Sequence, residues 1–248
     1  MKILVTGANG MLGQDLCPIL EDCGHEVVET DVDKLDITNV EQVKEVLTDE
    51  KPDMVIHCAA YTNVDKAEED LKTAELINVT GTENIADTCA RLGITLVYIS
   101  TDYVFDGEGV EPYTTEDLPN PINNYGATKY EGEEAVRSLC EKYYVVRTSW
   151  LYGHHGKNFV ETMIGLADRN EINVVDDQVG CPTWTVELAN GIVKLFSKPY
   201  GTYQVCGSGF TTWYGFAKEI FAQTGLDVNL QPCTTDEFPR PAKRPKFS

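Results

Sequence analysis

The stretch Lys2-Ile3-Leu4-Val5-Thr6-Gly7-Ala8-Asn9-Gly10-Met11-Leu12-Gly13 decides the fold. Its first five residues are an apolar, β-prone run, and from Met11 to Leu20 apolar residues recur at helical spacing before Gly24 stops them. Between the two lies a glycine turn. A strand, a glycine turn and a helix in succession make a phosphate cradle. The glycines let the backbone turn tightly and approach the ligand, and the helix start offers unpaired N–H groups and a positive dipole end. The spacing is G-x-x-G-x-x-G, not G-x-G-x-x-G. Asn9-Gly10 alone also suits a hairpin turn, but a hairpin feeds a second strand and here a helix pattern follows. Gly7, Asn9, Gly10, Met11, Leu12 and Gly13 are therefore candidate dinucleotide contacts.

Outward from this turn, strands and helices alternate. Strand patterns cover His25–Thr30, Asp53–Cys58, Ile94–Ser100 and Tyr143–Arg147. Helical patterns cover Asn39–Leu47, about Ala67–Arg91 and Tyr125–Cys140. This rhythm predicts an α/β fold of Rossmann type, a doubly wound parallel sheet covered on both faces. Past about residue 150 the elements shorten: helices at Phe159–Ala167, Val186–Phe196 and Trp213–Gln223, strands at Ile172–Val175 and Thr202–Cys206, with Pro199, Pro232, Pro239, Pro241 and Pro245 between and after them. The expected division is a dinucleotide-binding domain over 1–150 and a smaller substrate lobe over 151–248, partly interleaved with the first.

With 20 Lys+Arg against 40 Asp+Glu the net charge of the 248-residue chain is −20, which disfavours nucleic acid and anionic membrane as partners. No apolar run is long enough to span a bilayer, and no secretory leader is read at Lys2-Ile3-Leu4. The eight cysteines include no C-x-x-C pair, so no metal site is expected. Cys58 and Cys89 sit in apolar patterns as small hydrophobes, and reduced thiols in a cytoplasm are the expected state.

Asp31 ends the second strand, where a carboxylate accepts hydrogen bonds from ribose hydroxyls and repels a 2′-phosphate. It favours NADH over NADPH, although Lys34 is close by; the plainer reading is a solvated loop acid. Asp36-Ile37 opens the next segment on the adenine side. Tyr125 and Lys129 lie four apart and share one helix face, so a phenol and an ammonium can converge, the ammonium favouring the ionised phenol. A strand ending in Ser100-Thr101-Asp102 supplies a hydroxyl beside them.

At this point the chain resembles the extended short-chain dehydrogenase/reductase family, and within it the reductases of dTDP-linked 4-keto sugars. The resemblance rests on Gly7–Gly13, on Ala59-Ala60-Tyr61-Thr62-Asn63-Val64-Asp65-Lys66-Ala67-Glu68, and on Ser100-Thr101-Asp102-Tyr103-Val104-Phe105. It continues through Tyr125-Gly126-Ala127-Thr128-Lys129, Arg147-Thr148-Ser149-Trp150-Leu151-Tyr152-Gly153, Asp177–Thr183 and Pro241-Ala242-Lys243-Arg244-Pro245. It implies reduction of dTDP-4-dehydro-L-rhamnose to dTDP-L-rhamnose with NADH or NADPH.

Carried over residue by residue, the resemblance gives Tyr125 the proton-donor role, Lys129 the nicotinamide ribose and Thr101 the carbonyl oxygen. Ala59, Ala60 and Tyr61 would lie along the cofactor, and Val64, Asp65, Asp102, Tyr103 and Trp150 near the hexose. Asn158, Phe159 and the Gln178–Thr183 stretch would line the nucleotide side, with Arg244 on the diphosphate. Some of these keep a second reading: Trp150 and Phe159 as core, Asn78 as a structural rather than a catalytic helix residue, and the Lys243, Arg244, Lys246 cluster as a solvated tail. The expected partner is a nucleotide sugar, with a homodimer left open as the assembly. In the resembling family the Pro-Ala-Lys-Arg-Pro segment is followed by more chain, so a truncated or a short member is expected here. Two competing readings are a cofactor-binding regulatory subunit like that of methionine adenosyltransferase and an epimerase or reductase acting on another nucleotide sugar.

Overall fold

The computed structural model describes all 248 residues. The chain begins β1 (Lys2–Thr6), α1 (Met11–Asp22), β2 (Glu26–Thr30), α2 (Val40–Glu50) and β3 (Met54–His57). Three helices follow, α3 (Val64–Glu69), α4 (Leu71–Glu75) and α5 (Thr82–Leu92), then β4 (Thr95–Thr101), α6 (Asn124–Leu139) and β5 (Tyr143–Thr148). The remainder is β6 (Leu151–Tyr152), α7 (Phe159–Gly165), β7 (Ile172–Val175), β8 (Val179–Gly180), β9 (Thr183–Trp184), α8 (Thr185–Leu195), β10 (Gly201–Gln204), β11 (Thr211–Thr212), α9 (Trp213–Thr224) and β12 (Leu230–Cys233).

Six strands pair in parallel in the order β10-β5-β4-β3-β1-β2. Both faces of this sheet are covered, so its strands are apolar on alternate residues in both directions. Ile3 and Val5 of β1 join Leu12 and Leu16 of α1 and Leu188 and Ile192 of α8 on one face. Leu4 packs on the other with Val43 and Leu47 of α2, Ile85 of α5 and Val136 of α6. Each such fully buried aliphatic side chain contributes roughly 1.5–3 kcal/mol. The chain leaves β1 toward β2 on one side and returns to β3 on the other. The crevice at that reversal, at the C-terminal strand ends, is where a doubly wound sheet binds its ligand.

Two expectations change. The single helix over about 67–91 is broken. Asn63 starts α3 earlier by accepting the Lys66 N–H, and Asp70, in a non-helical conformation at φ −130°, ends it and caps α4 through the Thr73 N–H. A π-helical turn over Leu76–Gly81 then precedes α5. Second, the strand expected over Thr202–Cys206 does not belong to the smaller lobe. Gly201–Gln204 is the edge strand of the main sheet beside β5, and α8 packs on α1. Residues 185–204 thus return to the first domain.

The smaller lobe has its own core of Met163, Ile172, Val174, Ala217, Ile220 and Phe221, with β7 paired to β12 and β8 to β11. No helix of the protein is long and apolar enough to cross a membrane.

Candidate active site

A cavity of about 790 Å³ runs along the C-terminal ends of the parallel strands, from the glycine turn to the smaller lobe. At its first end the backbone is the binding surface. Gly7 holds φ +65°, and a Cβ there would stand 2.7 Å from the Ala59 nitrogen. A Cβ on Gly13 would meet the Ala8 carbonyl oxygen at 2.5 Å, so α1 can lie this close to β1 only without a side chain. Gly10 caps α1 with no side chain to occupy the first-turn amides, which leaves them for a ligand. Asp31 lines the cavity at the end of β2 and accepts the Asn9 N–H at 3.0 Å and the Val32 N–H at 2.8 Å. It therefore shapes the turn as well as lining the cavity. Asp36 and Ile37 line the same end, with Asp36 accepting the Thr38 hydroxyl at 2.7 Å.

Gly7, Gly10, Met11, Leu12, Gly13, Ala59 and Ala60 all border this cavity. Asn9 and Tyr61 do not. Asn9 borders a separate shallow pocket beside Asp31. Tyr61 is held by Asn78, whose Oδ1 accepts the Tyr61 N–H at 2.8 Å while its Nδ2 donates to the Tyr61 carbonyl at 3.1 Å and to Thr128 Oγ1. Asn78, 1% exposed, is thus a clamp on the β3–α3 turn.

Thr101 at the end of β4 and Tyr125 and Lys129 on α6 converge on the middle of the cavity. Asn123 starts α6 by accepting the Gly126 N–H at 2.7 Å, which fixes where Tyr125, two residues on, and Lys129, a turn further, must point. Thr101 Oγ1 donates to Asp102 Oδ1 at 3.1 Å and accepts the Tyr103 N–H at 3.2 Å. Burial pushes Tyr125 up to about 12, the Thr101 hydroxyl opposing and the Asp102 charge adding. Burial pushes Lys129 down to about 7, with Glu133 and Cys58 opposing. Its Nζ donates to the Ile99 carbonyl at 2.7 Å and sits 4.1 Å from the Tyr98 ring centre. The expectation that the ammonium draws the phenol pKa down is not met: both groups are buried, and burial dominates each. Burial also raises Asp102, to about 6, against hydrogen bonds from the Ser248 and Thr101 hydroxyls.

On the substrate side Val64, Asp102, Tyr103 and Trp150 border the cavity. Trp150 adopts φ +46° and stacks on Trp213 at 3.5 Å, their planes 7° apart. The remaining expected contacts lie behind the wall. Asp65 accepts from Arg240 Nε at 3.0 Å, from the Arg244 guanidinium and from the Ala242 N–H. Burial opposes its ionisation, but Arg244 and Arg240 hold its carboxyl well below the usual carboxylate range. The Arg244 charge acts on Tyr103, which borders the cavity. Asn158 caps α7 through the Glu161 N–H, and Phe159 packs against Trp213 and Phe216. None of Gln178–Thr183 borders the cavity; Gln178 donates to Thr235.

The sequence reading missed three features. Trp213 comes from the smaller lobe to form half of the indole stack. Thr148 borders the cavity at 6% exposure with a hydroxyl that has no protein partner, a polar atom left for a ligand. Glu133, wholly buried, receives Arg147 through two bonds of 2.9 and 2.8 Å and the Ser100 hydroxyl at 2.5 Å, and so ties α6 to β4 and β5. A strand motif ending Arg147-Thr148-Ser149 was the available signal for Thr148; Glu133 had only its position one turn after Lys129.

A doubly wound sheet with a dinucleotide cradle at its reversal point and a hydroxyl, phenol and amine beyond it defines a nicotinamide-dependent reductase of the short-chain class. Residues 1–248 match the family described as RmlD substrate binding domain. The dTDP-4-dehydrorhamnose reductase of Streptomyces griseus is 42% identical, over 99% of this chain and 84% of its own. The crystal structure of a dTDP-4-dehydrorhamnose reductase from Clostridium acetobutylicum superposes with a TM-score of 0.98 at 53% identity, covering 100% of this chain and 89% of that one. That of Bacillus anthracis, solved in complex with NADP, gives 0.97 at 47% identity over 99% and 88%. The chain belongs to the RmlD family.

Proposed function

We propose that this chain reduces the 4-keto group of dTDP-4-dehydro-L-rhamnose to give dTDP-L-rhamnose, using NADH or NADPH, with Tyr125 as the proton donor. The observation that carries the reading is the convergence of Thr101, Tyr125 and Lys129 on one cavity that begins at the glycine turn. The family relationship supports the class of reaction.

The residues present fit a dinucleotide. Gly7 and Gly13 leave backbone space that any Cβ would fill, the first turn of α1 has no capping side chain, and the Thr148 hydroxyl is unpartnered. In this reading Gly7–Gly13 hold the diphosphate, Asp31 the adenine ribose, and Lys129 with Tyr125 the nicotinamide ribose. A reduced nicotinamide bound there supplies the hydride. Tyr125, held near 12, keeps its proton through the neutral range and gives it to the carbonyl oxygen as negative charge develops there. Thr101 bonds the same oxygen, orienting it and stabilising its charge. Lys129 restrains the ribose and favours Tyr125 after it has lost its proton. Val64, Asp102, Tyr103 and Trp150 surround the hexose, with Arg244, held by Asp65, behind Tyr103 toward the diphosphate.

The test is to mix the chain with reduced nicotinamide cofactor and dTDP-4-dehydro-L-rhamnose, following loss of nicotinamide absorbance and formation of dTDP-L-rhamnose. Equal amounts of oxidised cofactor and product are expected, with inhibition by dTDP and little by UDP or GDP. Tight cofactor binding without turnover would replace the enzyme by a cofactor-binding regulator. Preference for UDP or GDP would move the substrate to another nucleotide sugar.

A further inference from the structure

Trp150 sits in the left-handed region at φ +46°, which a bulky side chain adopts only where its surroundings over-determine it. The surroundings that do so come from the smaller lobe. The Trp150 and Trp213 indoles stack with ring centres 3.5 Å apart and planes 7° apart, and a Cβ built on Gly180 would stand 2.4 Å from Trp150 Cε2. One pair of strands carries both contacts, because β11 sets Thr211 opposite Gly180 and Thr212 opposite Val179 of β8. Trp213 follows Thr212 as the first residue of α9. Thr212 fixes that start by accepting the Gly215 N–H at 2.9 Å and donating its hydroxyl to Asp176 at 2.6 Å. Phe159 packs on Trp213 as well, ring centres 4.6 Å apart. Both indoles border the cavity, at the end away from the glycine turn.

We propose that Trp213 is a positioning residue for the sugar: it holds the Trp150 indole as a fixed apolar wall against the hexose, so that hexose affinity depends on a side chain of the smaller lobe acting through Trp150. This role rests on the reading of the cavity as a nucleotide-sugar site. A deoxyhexose carries a methyl group and a ring face of C–H bonds, and an aromatic plane covers them at least entropic cost when it is already fixed. Trp150 cannot fix itself. Its backbone is strained, and without the stack nothing opposes its return to an ordinary φ, which would swing the indole away. The nucleotide's base and diphosphate need no such wall, so their binding is independent of Trp213.

The test titrates the full chain, with oxidised cofactor present, with dTDP-L-rhamnose and separately with dTDP, and takes the ratio of the two affinities as the share due to the hexose. In Trp213→Leu that ratio should fall roughly three- to tenfold, the size of one aromatic pair, while dTDP binds within about twofold of wild type. Trp213→Phe, which keeps a flat ring, should recover most of the ratio. Trp150→Leu should lose as much as Trp213→Leu, and the double variant no more than Trp150→Leu alone. Additive losses would make Trp213 a direct sugar contact and overturn the positioning role, as would a ratio unchanged in Trp213→Leu. A parallel loss of dTDP binding in both Trp213 variants would show a merely structural residue and overturn it too. A wild type that binds dTDP-L-rhamnose no more tightly than dTDP overturns the hexose reading itself, and this role with it.

Discussion

Tyr125 and Lys129 share a helix face and a dry environment, and burial acts on them in opposite directions. It keeps the phenol protonated, as a proton donor requires, and makes the ammonium expensive to hold. Tyr125→Phe removes the proton and leaves the ring. Turnover should fall by roughly 10²–10⁴ with cofactor affinity almost unchanged, read from steady-state rates and a fluorescence titration. A variant with wild-type turnover would end the donor assignment. Lys129 is open to a stability test. With burial holding Lys129 down to about 7, the folded protein loses this proton near pH 7, whereas the unfolded chain keeps it up to the ordinary lysine value of 10.5. Between those values unfolding takes up a proton, so rising pH favours the fold through this group. Denaturant unfolding of wild type and Lys129→Met at pH 7 and 9 should show wild type gaining on the variant at the higher pH. A pH-independent gap would mean that the amine is not desolvated. At this scale much was legible: the glycines, Asp31, Thr101, Tyr125 and Lys129 were all named from local spacing. Thr148 was not, because its meaning lies in a missing partner that only packing reveals.

Elements were legible where one chemical signal dominated. Each parallel strand is an apolar run, and α1, α2 and α6 begin within a residue or two of their expected starts. The stretch after β3 was misread because its apolar spacing is helical throughout, while Asp70 competes for a backbone N–H and divides it. Interleaving of the two lobes was expected, but its place, the edge strand Gly201–Gln204 beside β5, was not legible because nothing local says which strand it will pair with. The same holds for Glu133, whose partners come from β4 and β5. Burial opposes its ionisation, but Arg147 first and Ser100 and Arg137 after it keep the carboxyl below its usual range. Glu133→Gln leaves the guanidinium of Arg147, 2% exposed, without its buried counter-charge. A loss of about 3–5 kcal/mol is expected in denaturant unfolding, larger than a surface ion pair could give. A loss under about 1 kcal/mol would show that Arg147 finds another acceptor.

Across the whole molecule, the active site exists because two lobes meet over the strand ends, and the sequence was weakest on what joins them. It named Asp65 and Arg244 as separate ligand contacts; the structure makes them one clasp, with Arg240 as its third member. The clasp runs from α3 in the first domain to the Arg240–Arg244 segment, which Asn123 at the start of α6 also holds through the Lys243 carbonyl at 2.8 Å. Asp65 therefore sets where Arg244 stands behind Tyr103, without bordering the cavity itself. Asp65→Asn keeps the shape and removes the charge that two arginines share. The KM for the nucleotide sugar should rise roughly tenfold, the size of one charge-assisted hydrogen bond, while cofactor affinity, set at the other end by the glycine turn, stays within about twofold. The pH response separates this from general loosening. Because the folded Asp65 titrates below the unfolded carboxylate, its contribution to stability is complete above about pH 4 and disappears as pH falls through the lower folded value. Acid unfolding should therefore narrow the stability gap between wild type and Asp65→Asn. If the gap is constant with pH and KM does not move, the clasp does not position the substrate side.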